Sequence, residues 1–220
     1  MIDECEKHYI FQLNIFNYNQ IMVTIVIQAG GESRRMGEDK AILDFAGQAM
    51  IERVISRIKH LADEVLITTN NPLKYRFLKL PLIPDVVPRR GALGGLFTAI
   101  NAANYPIVAV VACDMPFINA NLIKAEIDLL EQTQSDLVIP QTSAGMEPFH
   151  AVYRREACIP PIKSALDSGQ WRVDAWFDQV ELYPLSTEII LKYDPQLLSF
   201  FNVNSPQDLE TARKISLKQT

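Results

Sequence analysis

Val23-Thr24-Ile25-Val26-Ile27-Gln28-Ala29-Gly30-Gly31-Glu32-Ser33-Arg34-Arg35-Met36-Gly37-Glu38-Asp39-Lys40 is the stretch that decides the fold. Its first six residues, five of them β-branched, have strand character. A glycine-rich, basic turn leaves that run directly. Glycine lets the backbone approach a ligand closely and present N–H groups to anionic oxygens, while Arg34, Arg35 and Lys40 supply charge for phosphates. The segment therefore reads as a phosphate loop; the alternative is a solvated glycine turn that carries basic side chains. It lacks both the Gly-Lys-Ser/Thr of a Walker loop and the Gly-x-Gly-x-x-Gly spacing of a dinucleotide fingerprint.

Downstream, Glu64–Thr69, Pro106–Cys113 and Ser135–Pro140 repeat the strand character. Between them Met50, Val54, Ile55, Ile58 and Leu61 recur at helical spacing, as do Leu93, Phe97 and Ile100, then Leu122, Ile123, Ile127 and Leu130. Asn119 stands where a helix cap belongs, and Ser205-Pro206-Gln207-Asp208 combines a capping hydroxyl, a proline at the first helical position and an acid in the first turn. Strands alternating with helices imply right-handed crossovers and an α/β fold with a mostly parallel sheet. The 220 residues suit one domain of about 150–220, taken as 22–220. Residues 1–21 form an N-terminal extension without a clear period, and Met22 is a candidate start; packing of the extension as an added strand or helix stays equally open.

With 26 acidic and 21 basic residues the chain carries a net charge of −5, so there is no basic field to hold nucleic acid or an anionic membrane. Phosphate chemistry must use a local basic patch. Three cysteines, Cys5, Cys113 and Cys158, match no zinc or redox spacing and fit a reducing, cytoplasmic setting. The apolar run Ile21–Ile27 is far short of the roughly 18 residues of a membrane span, and the acidic start does not suit a secretory signal.

Ala29-Gly30-Gly31-x-Ser33-x-Arg35-Met36-Gly37-x-Asp39-Lys40 closely resembles the signature loop of the molybdenum-cofactor guanylyltransferases, within the wider family of NTP-dependent nucleotidyltransferases. Arg90-Gly91-Ala92-Leu93-Gly94-Gly95, Ala112-Cys113-Asp114-Met115-Pro116-Phe117, Glu147-Pro148-Phe149-His150-Ala151-Val152-Tyr153 and Asn202-Val203-Asn204-Ser205-Pro206 fit the same family in the same order. The resemblance runs from Val23 to the C-terminus. It implies a Rossmann-like three-layer α/β/α nucleotidyltransferase domain that transfers GMP from GTP to molybdopterin with Mg²⁺, and transient partners among molybdoenzymes or a molybdenum-insertion protein. Two positions depart from the pattern, Ala92 in place of proline and Gln28 in place of leucine.

The residues also carry readings of their own. Asp114 follows an apolar strand, so its carboxylate emerges where open α/β sheets bind ligands, and a hard oxygen there suits Mg²⁺; capping of the Met115-Pro116 turn is the plainer alternative. Gln28, Ala29, Gly30 and Gly31 lie along the phosphate loop. Thr68, Thr69 and Asn70 end the second strand, and Asp85 matches the family's nucleotide-pocket acid. Each of these could equally serve a strand end or a surface turn. Asn202 and Asn204 match positions beside metal and substrate or simply make turns before the last helix. The resemblance puts His150 on the acceptor side and lets Arg172 meet a pterin phosphate, with a core histidine and a solvated arginine as the alternatives. Arg89 and Arg90 are placed the same way. Cys113 reads as a small buried hydrophobe, since nothing near it in sequence would activate a thiol.

A phosphate monoester acceptor, with a second pKa of about 6, is largely ionised at neutrality and needs no general base. The expected catalytic task is electrostatic, shared by Arg34, Arg35, Lys40 and a metal on Asp114. The alternatives are a molybdopterin cytidylyltransferase, a sugar-phosphate nucleotidylyltransferase, or a non-catalytic carrier of nucleotide or cofactor.

Overall fold

A computed structural model describes residues 22–30 and 39–218. The expectations for residues 1–21, for Gly31, Arg34 and Arg35 therefore fall outside the described residues. The first strand, β1 (Val23–Gln28), is buried at every position except its last, because both of its faces are covered. The short pair β2 (Asp44–Phe45) and β3 (Gln48–Ala49) leads into α1 (Met50–Ile58), whose Met50, Ile51, Val54, Ile55 and Ile58 are buried. Then come β4 (Glu64–Thr68), α2 (Pro72–Tyr75), β5 (Leu82–Ile83), α3 (Gly91–Ala102) and β6 (Ile107–Ala112). The second half holds α4 (Ala120–Thr133), β7 (Leu137–Thr142), β8 (Gly145–Met146), β9 (His150–Arg154), α5 (Arg155–Asp167), β10 (Leu182–Leu185), α6 (Thr187–Tyr193) and α7 (Pro206–Lys218).

The main sheet runs β10-β7-β9-β6-β1-β4-β5, with β8 paired to β7. β5, β4, β1 and β6 are mutually parallel, as are β7 and β10, while β9 lies antiparallel between β6 and β7. The sheet is thus mixed and mostly parallel, with the crossovers placing helices on both faces. On one face Ile25, Ile27 and Val111 pack against Val54 and Ile58 of α1 and Leu122 and Ile123 of α4. On the other, Val26, Val108 and Val110 meet Leu93, Leu96 and Ile100 of α3 and Ile162 and Leu166 of α5. This is the three-layer arrangement expected.

Local chemistry fixes the boundaries. Asn119 caps α4, its side chain accepting from the N–H groups of Asn121 at 2.9 Å and Leu122 at 3.4 Å. Ser205 does the same for α7, accepting from Asp208 N–H at 3.2 Å. The fourth expected strand begins two residues later than its apolar run suggests, at Leu137. Helix α5 passes through Pro160 and Pro161, residues that hide its periodicity because each removes an intrahelical donor. Among the described residues no helix is long and apolar enough to cross a membrane.

Candidate active site

The chain leaves β1 toward β4 on one side and reaches β6 on the other, so β1 and β6 flank the point at which strand order reverses. Ligands of open α/β sheets bind at the carboxyl ends of such strands. There the backbone is knitted together: Ala29 N–H donates to the Thr68 carbonyl at 2.9 Å and Cys113 N–H to the Gln28 carbonyl at 3.0 Å. Above this edge opens a cavity of about 1060 Å³ whose wall includes Gln28, Ala29, Gly30, Lys40, Thr68, Thr69, Asn70, Asp85, Asp114 and Asn202. A smaller cavity of about 430 Å³, between Arg57, Phe117, Tyr193 and Asp194, has its buried carboxylate taken by Ser199 N–H at 2.6 Å.

Lys40 is the meeting point of the large cavity. It stands in a single 3-10 turn, Lys40–Ile42, capped by Asp39, whose Oδ1 accepts from Ala41 N–H at 3.3 Å. Its ammonium is ion-paired with Asp114 and donates to Asn204 Oδ1 at 2.9 Å. Asp114, only 6% exposed, is delivered by β6, and its carbonyl accepts from Val203 N–H at 3.0 Å. Asn204 is held in turn by helix α7, since its N–H donates to Asp208 Oδ2 at 3.0 Å. Three segments distant in sequence thus converge on one cation.

The opposite wall is built by β4 and the segment after β5. Asn70 Nδ2 donates to Asp85 Oδ2 at 2.7 Å and accepts from Asp85 N–H on its own Oδ1 at 3.1 Å, a two-way contact that fixes both side chains. Helix α3 points its N-terminus into the cavity, with no side chain capping it. Gly91 has a φ of +58°, the left-handed region that suits glycine. At Gly94 a Cβ would stand 2.7 Å from Arg90 Cβ and 3.0 Å from the Val87 carbonyl, and at Gly95 it would meet the Gln28 amide at 3.2 Å. The glycines let the helix lie against its own approach segment and against the end of β1.

Cys113 lies on the wall, and burial, with Asp114 beside it, pushes its thiol well up. A thiol so held is no nucleophile at neutrality. Arg89 also lies on the wall. His150 does not: it is fully buried, with Nδ1 3.2 Å from Glu126 of α4 and its ring 4.8 Å from that of Phe200. Arg172 is exposed and paired with Asp174 at 2.6 Å, and Arg90 stands over the Trp171 ring at 5.5 Å; neither lines the cavity. Sequence reasoning missed Asn71, Lys74, Glu147 and Phe149 as wall residues. The Asn70-Asn71-Pro72 turn after a strand was the available signal for the first two, and the Glu147-Pro148 motif for the others.

Comparison with known proteins identifies the family and the fold. The family described as MobA-like NTP transferase domain matches residues 25–181. A molybdenum cofactor guanylyltransferase of Desulfosudis oleivorans is 36% identical over 191 residues, covering 86% of this chain and 94% of that protein. Another, from Syntrophotalea carbinolica, is 29% identical, covering 86% of this chain and 90% of its own length. The crystal structure of molybdopterin-guanine dinucleotide biosynthesis protein A from Archaeoglobus fulgidus superposes with a TM-score of 0.77 over 89% of this chain and 99% of that one, at 24% identity, and so shares the fold. With the family match spanning most of the sheet and both walls of the cavity, the chain belongs to the MobA-like NTP transferases.

Proposed function

We propose that the chain transfers the GMP unit of GTP to the terminal phosphate of molybdopterin, forming the guanine dinucleotide and releasing pyrophosphate. The observation that carries this reading is the Lys40 ammonium held between Asp114 and Asn204 in a cavity lined by Gln28, Ala29 and Gly30 at the end of β1 and by the Asn70–Asp85 pair. The similarity to guanylyltransferases over most of the chain supports the choice of donor and acceptor.

An oxygen of the acceptor phosphate attacks the α-phosphorus, a new P–O bond forms, and the bond to the β-phosphate oxygen breaks. The acceptor is already ionised, so no side chain has to take a proton. Gly30 and Gly31 would turn their N–H groups to the phosphates beside Gln28 and Ala29, the Ala29 N–H being spent on the Thr68 carbonyl, while Lys40, Arg34 and Arg35 offset the repulsion of two polyanions and the charge growing on pyrophosphate. Thr68, Asn70 and Asp85 face the base; the carboxylate accepts from the N–H edge that guanine presents. Asn202 and Asn204 orient the acceptor side, while His150, buried against Glu126, and Arg172, exposed and paired with Asp174, stand off the cavity wall.

The donor set fits a divalent ion. The wall bears four carboxylates, Asp39, Asp85, Asp114 and Glu147, against three cations, Lys40, Lys74 and Arg89, so the described residues alone do not balance a triphosphate. Asp114, already the seat of one cation, and the amide oxygens of Asn202 and Asn204 are hard ligands of the kind Mg²⁺ takes alongside phosphate oxygens. Bound there, Mg²⁺ would supply charge neutralisation across the triphosphate. Residues 22–220 would act as one nucleotidyltransferase unit, with 1–21 as an extension, in the cytoplasm. The product would pass to a molybdoenzyme or its insertion protein.

Thermal unfolding with Mg²⁺ and each of GTP, ATP, CTP and UTP tests the donor. A ligand at about 100 times its dissociation constant adds roughly 2.7 kcal/mol. A shift with GTP alone, followed by pyrophosphate release when molybdopterin is added, is expected. A larger shift with CTP would favour the cytidylyl reaction, binding without pyrophosphate release would favour a carrier, and no shift with any triphosphate would sink the nucleotide site.

A further inference from the structure

Tyr75, the last residue of α2, is buried in the core against the face of the sheet that carries α1 and α4. A phenylalanine would fill that space, and a buried hydroxyl is costly unless it is hydrogen-bonded. Here it is bonded: the hydroxyl donates to the Asp39 carboxylate, 2.9 Å from each oxygen. The same carboxylate caps the Lys40–Ile42 turn through Ala41 N–H and receives the Lys74 ammonium at 3.4 Å. Asp39 is therefore held from three sides, and the next residue in the chain is Lys40.

We infer that Tyr75 is a positioning residue for the proposed transfer: its hydroxyl clamps Asp39, and Asp39 fixes the turn from which Lys40 reaches Asp114 and Asn204. The inference rests on the reading of Lys40 as the cation that meets the leaving group. Of the three groups on Asp39, Lys74 lines the cavity and is half exposed, so an entering triphosphate competes for it. The turn amide is that of Ala41, whose methyl is buried in the same core, but it belongs to the turn that Asp39 caps. The phenol is the side-chain tie that reaches the carboxylate from another element. Burial, then the neighbouring Cys113 and Asp39, hold the phenol far above the usual tyrosine range, so it donates at every working pH.

Tyr75→Phe tests this with two readouts. The first is kinetic: pyrophosphate release with GTP, Mg²⁺ and molybdopterin should show kcat lowered about tenfold to a hundredfold, with KM for GTP within about threefold. The second needs no turnover: the rate of reductive methylation of Lys40 by formaldehyde and cyanoborohydride, read by peptide mass spectrometry against exposed Lys124. That ratio should rise several-fold in Tyr75→Phe as Lys40 comes free of its carboxylate. Asp39→Asn, which keeps an acceptor for the phenol but loses the charge, should fall between wild type and Tyr75→Phe and serves if Tyr75→Phe folds poorly. An unchanged Lys40 ratio overturns the inference, whether or not kcat falls. A raised ratio with unchanged kcat overturns it as well. If wild type releases no pyrophosphate, the function proposed above fails, and the methylation ratio alone then decides whether Tyr75 holds Lys40.

Discussion

Lys40 holds two partners at once, and that sets what its loss should do. Its ammonium is the charge nearest the barely exposed Asp114 carboxylate, so Lys40→Met removes a preorganised cation rather than a contact to free substrate. For such a group the cost is about 10²–10³ in kcat, with KM for GTP little changed; comparable kcat in steady-state assays would refute the assignment. Asp114→Asn should abolish turnover, and Asp114→Ala should also erase the GTP-dependent thermal shift. At the amino end of the sheet sits a residue with the opposite duty. Burial alone would raise the Glu64 carboxyl, but hydrogen bonds from Asn104 N–H at 3.0 Å, the Asn104 side chain and the Thr24 hydroxyl at 2.7 Å bring it below its usual value. A folded value below the unfolded one gives stability that is present above 4.5 and lost as pH falls. Glu64→Gln should therefore cost about 1 kcal/mol at neutral pH, with the gap closing in acid, as chemical denaturation at several pH values would show. The placement of Asp114, Asn70 and Asp85 on the cavity wall was legible because each follows a strand, that of Lys40 because it ends the glycine-rich stretch after β1, and that of Asn204 beside Lys40 because it precedes α7. Tyr75 was not, since it stands 36 residues from Asp39 and no local pattern encodes that contact.

At the scale of elements, the glycines at the head of α3 act as spacers. Alanine at Gly94 would force Arg90 and the Val87 carbonyl to give way; it should destabilise by about 1–3 kcal/mol and raise KM for GTP, because the same helix end faces the cavity. Alanine at Gly95 meets only the movable Gln28 amide and should be milder in both measurements. Asn119→Ala, which removes the cap of α4 and lies off the wall of the large cavity, should cost about 1 kcal/mol in thermal unfolding and leave turnover as it is. Strands β1, β4 and β6 and helices α1, α3, α4 and α7 were readable from period and caps. Helix α5 was hidden by its two prolines, and β8 and β10 by their brevity, where pairing with β7 rather than intrinsic pattern makes the strand.

For the whole molecule, the division runs along the strands: the carboxyl ends border the large cavity, while the amino ends and the core carry stability. The pair of His150 and Glu126, closed off between β9 and α4, belongs to the second group. Burial pushes the Glu126 carboxyl up; for His150 burial works downward, but the adjacent Glu126 more than reverses it, and the imidazole is also raised. Both groups bind protons more tightly folded than unfolded. The part from Glu126 is full below the ordinary carboxyl value of 4.5 and the part from His150 below the ordinary histidine value of 6.5, and each is lost as pH rises through that group's raised value. The contribution of the pair to unfolding free energy should thus fall as pH rises above 4.5 and again above 6.5, and that slope should flatten in a His150→Phe, Glu126→Leu double variant. A slope unchanged in that variant would show that another group titrates.

The margins of the sheet bear on how the protein behaves when crowded. One margin is β5, two residues long and followed by Pro84; the other is β10, with Pro184 inside its four residues. Proline carries no N–H to offer a neighbour, and a two-residue strand offers little to grip. Among the described residues, a second chain approaching side by side would find no continuous ladder to extend, so the fold's own edges guard a sheet rich in valine and isoleucine against growing into a fibre.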